Sequence, residues 1–327
     1  MIVHHFNRDN RPGNYTFEQL FGALRNELSK EVDIINHDIP TGMNRFEAVL
    51  WAKKHAGEIN HITGDVHFLS YGLPKRNSIL TIHDIGYFNQ ELSGIKKRVY
   101  KKIWLTDPCQ KVEVITVISE CTKHDLLDSI NVNENKIVVV PNPLLPGFKK
   151  IQKVVNEKPV ILQIGSGKNK NLSRLIAACS GLDVKLLLIN KLYDKSILDE
   201  LLESKVEFEQ RTDLSFDQLI QAYAESDMLF FASEYEGFGM PIIEAQAVGR
   251  PVITSNISSM PEIAGSNSAY FVDPFRVDSI RNAILDLIHD STMVSTLVSQ
   301  GFKNVDRFTI SEVARQYLDV YKKNLSN

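Results

Sequence analysis

Glu236 and Glu244 stand on either side of a glycine loop and a proline, in the run Ser233-Glu234-Tyr235-Glu236-Gly237-Phe238-Gly239-Met240-Pro241-Ile242-Ile243-Glu244. Carboxylates so placed can accept hydrogen bonds from the hydroxyl groups of a ligand held at the loop. A second loop, Gly165-Ser166-Gly167-Lys168-Asn169-Lys170-Asn171, offers two lysines as mobile cations. A leaving diphosphate needs its developing charge neutralised, and preorganised cations with helix N–H groups do that. An anion site beside a polyol site describes a nucleotide sugar. The competing reading is plainer: solvated glutamates on a strand–turn–helix, and surface lysines on a turn.

The elements that must position these groups are legible. Residues 227–232 form a short apolar run bounded by polar residues, which suits a buried strand. Gly237 and Gly239 permit backbone angles and close approaches that a side chain forbids. Pro241 fits the first turn of a helix, which the pattern carries through Ala247 and which Gly249 and Pro251 stop. Strand, glycine loop and helix start aim N–H groups and the positive end of a dipole at an anion. Glu244 then falls one turn into the helix and Glu236 in the loop before it. Ile164 likewise ends an apolar strand, and Leu172, Leu175 and Ile176 open a helix after the lysine loop.

The nine residues from Glu236 to Glu244 resemble the E-x7-E element of retaining glycosyltransferases of family 4, and residues 245–253 continue the likeness. It covers nearly all of residues 150–327 and is patchy over 1–150. The resemblance implies an α/β chain of the GT-B fold, two doubly wound Rossmann-like domains facing each other across a cleft. It implies that Glu244 holds ribose hydroxyls and Glu236 sugar hydroxyls, with Gly237, Phe238, Gly239, Met240 and Pro241 lining the donor. Lys170 and Asn171 match the family's Lys-Asn, after Gly165. Ser166 stands where the family has arginine, and the loop is one residue shorter; Lys168 is the candidate to supply the missing charge. The strand-like Val206-Glu207-Phe208-Glu209 aligns with a segment whose backbone meets the base, which brings Phe208 into the donor site.

In the first half, His83 follows the strand 78–82 and matches a family histidine that contacts the transferred sugar. A histidine past a strand end is otherwise often just a hydrogen-bonded loop residue, and the motifs of the second half favour the functional reading. Asp84 contacts acceptor or caps the next segment. Gly13 and Asn14 lie where the family has a Gly-Gly loop on the acceptor side, and only one glycine is present. Ser119 and the Pro141-Asn142-Pro143 turn resemble architectural features of the family. His61, Asp65 and His67 form a polar cluster, but their pattern does not support a metal, and none is expected.

Short apolar strands alternating with helical patterns make each half read as a doubly wound sheet. Strands are expected at 78–82, 114–119, 136–140, 160–164, 185–189, 227–232, 251–254 and 269–272. A helix-poor stretch from Pro141 to Gly147 marks the domain boundary. The resulting domains are 1–148, on the acceptor side, and 149–309, on the nucleotide-sugar side. Thr16 with Gln19 and Thr309 with Glu312 read as capping boxes. The second would begin a helix with Val313, Ala314, Tyr317, Val320 and Tyr321 on one side, and the resemblance sends this helix, 310–327, back onto the first domain.

The net charge of −3 gives the chain no nucleic-acid footprint. Residues 1–150 carry 19 Lys and Arg against 17 Asp and Glu, the remainder 18 against 23, and eight of nine histidines lie in the first half, which predicts different surface chemistry for the two halves. Three scattered cysteines suit reduced thiols in the cytosol. No apolar segment approaches the ~18 residues of a membrane span, and no signal peptide is visible. Residues 94–104 form a basic amphipathic helix with Ile95, Val99 and Ile103 in one stripe. Such a helix is more often solvated, but it can lie on an anionic membrane surface.

The whole reads as a cytoplasmic retaining, metal-independent glycosyltransferase without a cofactor, with residues 95–104 as the candidate contact to the plasma membrane's inner face. It would pass a sugar from a nucleotide-diphosphate sugar to a saccharide or lipid-linked saccharide in cell-surface polysaccharide synthesis. Two alternatives are carried: a glycosidase using Glu236 and Glu244 as acid and nucleophile, and a nucleotide-sugar-binding subunit or epimerase, which Ser166 keeps open.

Overall fold

A computed structural model describes residues 1–9, 16–191 and 195–325. The chain divides into two compact units, Met1–Leu145 with Phe308–Asn327, and Pro146–Arg307. The divisions thus fall a few residues before the expected 148 and 309.

The first unit holds strands β1 (Ile2–Asn7), β2 (Asp33–Asp38), β3 (Ile59–Ile62), β4 (Ser78–Ile82), β5 (Val114–Val117) and β6 (Ile137–Val139). They form one parallel sheet in the order β2-β1-β3-β4-β5-β6. Strands β1, β2 and β3 have no counterpart among the sequence expectations. The reason lies in their composition. β1 reads IVHHFN and β3 reads INHI, so polar residues interrupt the apolar run that marks a buried strand. Of those polar groups, His5, Asn7, Asn60 and His61 are nonetheless buried, and partners meet them. The Tyr321 hydroxyl lies 3.0 Å from His5 Nε2 and 2.8 Å from His61 Nδ1, and Thr81 Oγ1 lies 2.7 Å from His61 Nε2. Tyr321 comes from the helix Ile310–Leu325, which packs Val313, Ala314, Tyr317 and Tyr321 against Val3, Ile59 and Ile79. Its start follows the expected pattern, with Thr309 Oγ1 accepting from the Glu312 N–H at 3.4 Å. The helix Thr16–Leu28 is present, while the Thr16 side chain falls outside the described residues.

Four of the eight histidines in this half contribute little to its surface. His5, His61, His67 and His83 are buried. Burial drives all four away from the charged form, with His61 lowered to about 3.

The second unit holds β7 (Val160–Ile164), β8 (Lys185–Ile189), β9 (Glu207–Arg211), β10 (Met228–Phe231), β11 (Val252–Ser255) and β12 (Tyr270–Val272). This sheet is also parallel, in the order β12-β11-β10-β7-β8-β9. Here apolar runs mark every strand except the edge strand β9, which reads EFEQR. All of β10, MLFF, is buried, each side chain contributing about 1.5–3 kcal/mol. In this order the chain builds outward from β7 in one direction and from β10 in the other. The two strands are hydrogen-bonded neighbours, Leu229 opposite Leu162. A doubly wound sheet opens its ligand crevice at such a switch point, outside the carboxyl ends of the strands.

Candidate functional site

Both motif loops of the second unit leave that switch point, and side chains stitch them together. The Asn169 carbonyl accepts from the Glu234 N–H at 2.8 Å, and Asn169 Nδ2 donates to the Tyr235 carbonyl at 2.9 Å. Lys170 Nζ donates to Glu236 Oε1 at 2.6 Å, and Asn169 Nδ2 reaches the same oxygen at 3.3 Å. Lys170 also lies over the Phe231 ring, 4.7 Å from its centre. Gly165 makes this possible. It sits at φ +107°, and a Cβ there would meet Lys170 Cε at 2.8 Å. The structure thus joins Lys170 to Glu236, two residues 66 positions apart.

The glycine loop is held from below by residues that the sequence did not reveal. Ser258 Oγ accepts from the Glu236 N–H at 3.1 Å and donates to the Glu236 carbonyl at 2.9 Å; Ser259 Oγ contacts the carbonyls of Glu236 and Phe238. Gly239 at φ +108° then starts the helix Met240–Val248, with Pro241 in its first turn and Gly249 at φ +81° ending it.

Glu244 lies in the first half of that helix but is only 7% exposed. Its Oε2 accepts from the Tyr223 hydroxyl at 2.6 Å. Burial pushes its carboxyl up to about 7, against the opposing pull of the Tyr223 hydrogen bond. Glu236 and Glu244 are therefore engaged in different surroundings, one with a lysine and one with a buried phenol.

Around the lysine loop, Asn171 is a structural staple. It takes the left-handed conformation at φ +62° and donates from Nδ2 to the carbonyls of Ala232 and Pro274. Ser166 Oγ accepts from the Lys191 N–H at 3.0 Å, and Lys168 is exposed. Beside them lies a cavity of 340 Å³ whose lining includes Ser166, Lys168, Ser173, Arg174 and Ser196. Arg174 was not among the sequence candidates. Its Nη1 donates to Asn171 Oδ1 at 2.8 Å and Glu234 Oε1 at 2.5 Å. A cation one turn into the helix after the loop was the available signal. Phe208, on β9, is two strands removed from β7 and packs against the core of the second unit.

In the first unit, His83 follows β4 and is buried. Its Nε2–H donates to the Thr63 carbonyl at 2.8 Å. Asp84 is exposed, and its Oδ1 accepts from the Gly86 N–H at 2.9 Å, the local cap considered from sequence. Both residues line a cavity of 480 Å³ together with Arg45, Asp65, Tyr100 and Trp104. Arg45 stacks on Trp104 at 4.9 Å, and His67 Nδ1–H donates to the Trp104 carbonyl at 2.9 Å. Carboxylates, a guanidinium and aromatic faces are groups that recognise sugar hydroxyls and ring faces. His61 turns away from Asp65 and His67 toward Tyr321 and Thr81. No group of three His, Cys, Asp or Glu suited to a metal occurs among the described residues. Gly13 and Asn14 lie outside the described residues.

Two parallel doubly wound sheets, one with stitched loops at its switch point, define a GT-B fold. Anabaena Alr3699/HepE, solved in complex with UDP and glucose, superposes with a TM-score of 0.75 over 99% of this chain and 100% of its own, at 14% identity. The family model of the glycosyl transferases group 1 matches residues 147–304, somewhat less than half of the chain. Among curated proteins it is similar to the O-antigen chain mannosyltransferase B of Escherichia coli, 26% identical over 78% of this chain and 73% of that one. It is also similar to the O-antigen chain mannosyltransferase RfbU of Salmonella typhimurium, 29% identical over 65% of this chain and 61% of that one, which leaves more than a third of the Salmonella protein unmatched. No helix among the described residues is long and apolar enough to cross a membrane.

Proposed function

We propose that the chain is a retaining glycosyltransferase that moves a sugar from a nucleoside-diphosphate sugar to a hydroxyl of a saccharide, in the synthesis of a bacterial surface polysaccharide. The observation that carries this reading is the Lys170–Glu236 pair beside a helix start at the switch point of the second unit. A cation and a helix N-terminus suit a diphosphate, and a carboxylate suits sugar hydroxyls. In the pair the two charges neutralise each other. A bound donor would take over Lys170 with its phosphates and leave Glu236 to the sugar.

The second unit is read as the donor side, with Gly165, Asn171, Phe208 and residues 236–241 around the nucleotide sugar and Glu244 at the ribose. Lys168 and Arg174 are the cations available where Ser166 replaces arginine. The first unit is read as the acceptor side, with His83 and Asp84 in its cavity. A lipid-linked saccharide is included among the acceptors, since the relatives' names place them in O-antigen assembly. The chemistry is a front-face displacement. The acceptor oxygen bonds to the anomeric carbon as the bond to the diphosphate oxygen breaks, on the same face. The departing phosphate takes the acceptor's proton while Lys170 and the helix start carry its charge. No metal or cofactor takes part in this scheme.

A glycosidase is disfavoured by the different engagements of its two candidate carboxylates, which would have to flank one bond. Titration with UDP, GDP, ADP and dTDP, followed by transfer assays and NMR of the product's anomeric configuration, tests the reading. Binding of one nucleotide and a retained anomeric configuration are expected. No binding, or inversion, would overturn it, and binding without transfer to any acceptor would assign a binding subunit instead.

A further inference from the structure

The basic helix of the first unit has two faces with different tasks. It runs as an α-helix over Gly94–Tyr100 and continues as a wider π-helical stretch over Lys101–Thr106. Its inner face carries Tyr100, Trp104 and Leu105, all of which line the 480 Å³ cavity. Tyr100 stacks on Phe88 and Trp104, and Leu105 is 1% exposed. The stripe read from sequence, Ile95, Val99 and Ile103, points the other way, with exposures of 79%, 50% and 47%. A row repeating every four residues drifts around a 3.6-residue helix, and the wider turn beginning at Lys101 offsets that drift. Lys96, Arg98, Lys101 and Lys102 are exposed beside the row, whereas Lys97 folds over the Phe88 ring at 4.8 Å. No acidic residue occurs between Gly94 and Thr106.

We propose that this face docks the first unit on an anionic phospholipid surface. The apolar row enters the headgroup boundary while the four exposed cations meet lipid phosphates. Charge selects this occupant. A second copy of the chain packed on the same face would bring like charges together, and protein interfaces are depleted in lysine at their cores. The neighbouring helix Arg45–His55, linked by Arg45 over Trp104, carries the same combination: exposed Phe46 and Leu50 with exposed Lys53 and Lys54. Tyr87 is 57% exposed, lines the cavity and touches Tyr100, so cavity wall and docking face are continuous through one aromatic contact. The consequence, which rests on reading that cavity as the acceptor side, is that the acceptor is drawn from the lipid surface.

Co-sedimentation of the full chain with phosphatidylcholine vesicles, with and without added phosphatidylglycerol, tests the docking face without any nucleotide. Binding to the anionic vesicles should exceed binding to neutral ones by roughly tenfold or more, and should fall as salt rises from about 0.1 M to about 0.5 M. Lys101→Glu with Lys102→Glu should lower it by about tenfold or more, and Ile95→Ser with Ile103→Ser by about tenfold. Melting temperature and nucleotide affinity should stay at the parent's values in both, which shows that the variants fold. Equal binding to neutral and anionic vesicles, or parental binding by the charge-reversed variant, would overturn the proposal. So would a concentration-dependent dimer that Ile95→Ser with Ile103→Ser abolishes. These results leave the donor reading intact, because that reading fails only in the nucleotide titration.

Discussion

The two units share one architecture and use it differently. Each is a six-stranded parallel sheet with a switch point, β1 beside β3 in the first and β7 beside β10 in the second. In the second, two contiguous loops converge and are fastened by Asn169, Lys170, Ser258 and Ser259 around Glu236. In the first, the cavity is assembled from Arg45, Asp65, Asp84, Tyr100 and Trp104, dispersed over 60 residues of chain. The second unit buries an acid, Glu244, against a phenol; the first buries histidines against one.

Four perturbations would break or sharpen that contrast. The largest effect belongs to Lys170→Ala. If the second unit stabilises the departing diphosphate, kcat should fall about 10²–10³-fold. Steady-state rates within tenfold of the parent would remove the lysine from the chemistry. Gly165→Ala comes next. Its Cβ would press on Lys170 from a strained backbone, at a cost of about 1–3 kcal/mol, so transfer should drop tenfold or more while Lys170 remains. A variant with parental kinetics would show that Lys170 tolerates displacement.

Glu244→Gln should weaken nucleotide affinity by about tenfold, the scale of one hydrogen bond to a charged group. Its effect on stability should have the opposite sign. The folded carboxyl titrates near 7 and the unfolded one near 4.5, so the native state holds the extra proton between those values. Stability is therefore lost as pH rises through that window, by up to about 3 kcal/mol at pH above 7. Glutamine removes the loss, and the variant should melt higher than the parent at about pH 8. Donor affinity of the parent should decline below pH 7 as the carboxyl protonates. A lower melting point at alkaline pH would sink this account.

The smallest effect on chemistry should come from the first unit's core. Tyr321→Phe removes the hydroxyl shared by His5 and His61, at about 1–3 kcal/mol of stability, with nucleotide affinity unchanged. The same pair gives that unit an acid limit. His61 titrates near 3 when folded and near 6.5 when unfolded, so stability falls as pH drops below 6.5, by about 1.4 kcal/mol per pH unit per histidine. Denaturant melts between pH 7 and 4 that show no such slope would refute it.

The same contrast explains what the sequence revealed. β7 and β8 match their expected limits, and β10 lies within its expected run, because these parallel strands are runs of Val, Ile, Leu, Met and Phe broken internally only by Gln163. β1 and β3 were not legible, because His5 and His61 are buried through partners supplied from afar, and β2 is an exposed edge strand without a continuous apolar run. The glycines and glutamates of residues 233–244 stand within a dozen residues and could be read together. Asn169, Ser258, Arg174 and Tyr223 act across 20 or more residues, and no local spacing announces them. The stripe of Ile95, Val99 and Ile103 shows the converse. Its periodicity was plain, but periodicity does not say which side faces water.

The separation between His5 and Tyr321, 316 positions, bears on how the chain is made. The second unit is one continuous segment and has all its strands soon after residue 272 leaves the ribosome. The first has every strand by residue 139, yet the face formed by Val3, Ile59 and Ile79 waits for Tyr317 and Tyr321. Domains generally fold as units, at about 5–20 residues per second of synthesis. The half that is translated first should therefore be completed last, and in the interval its bare sheet is the surface that a chaperone would have to shield.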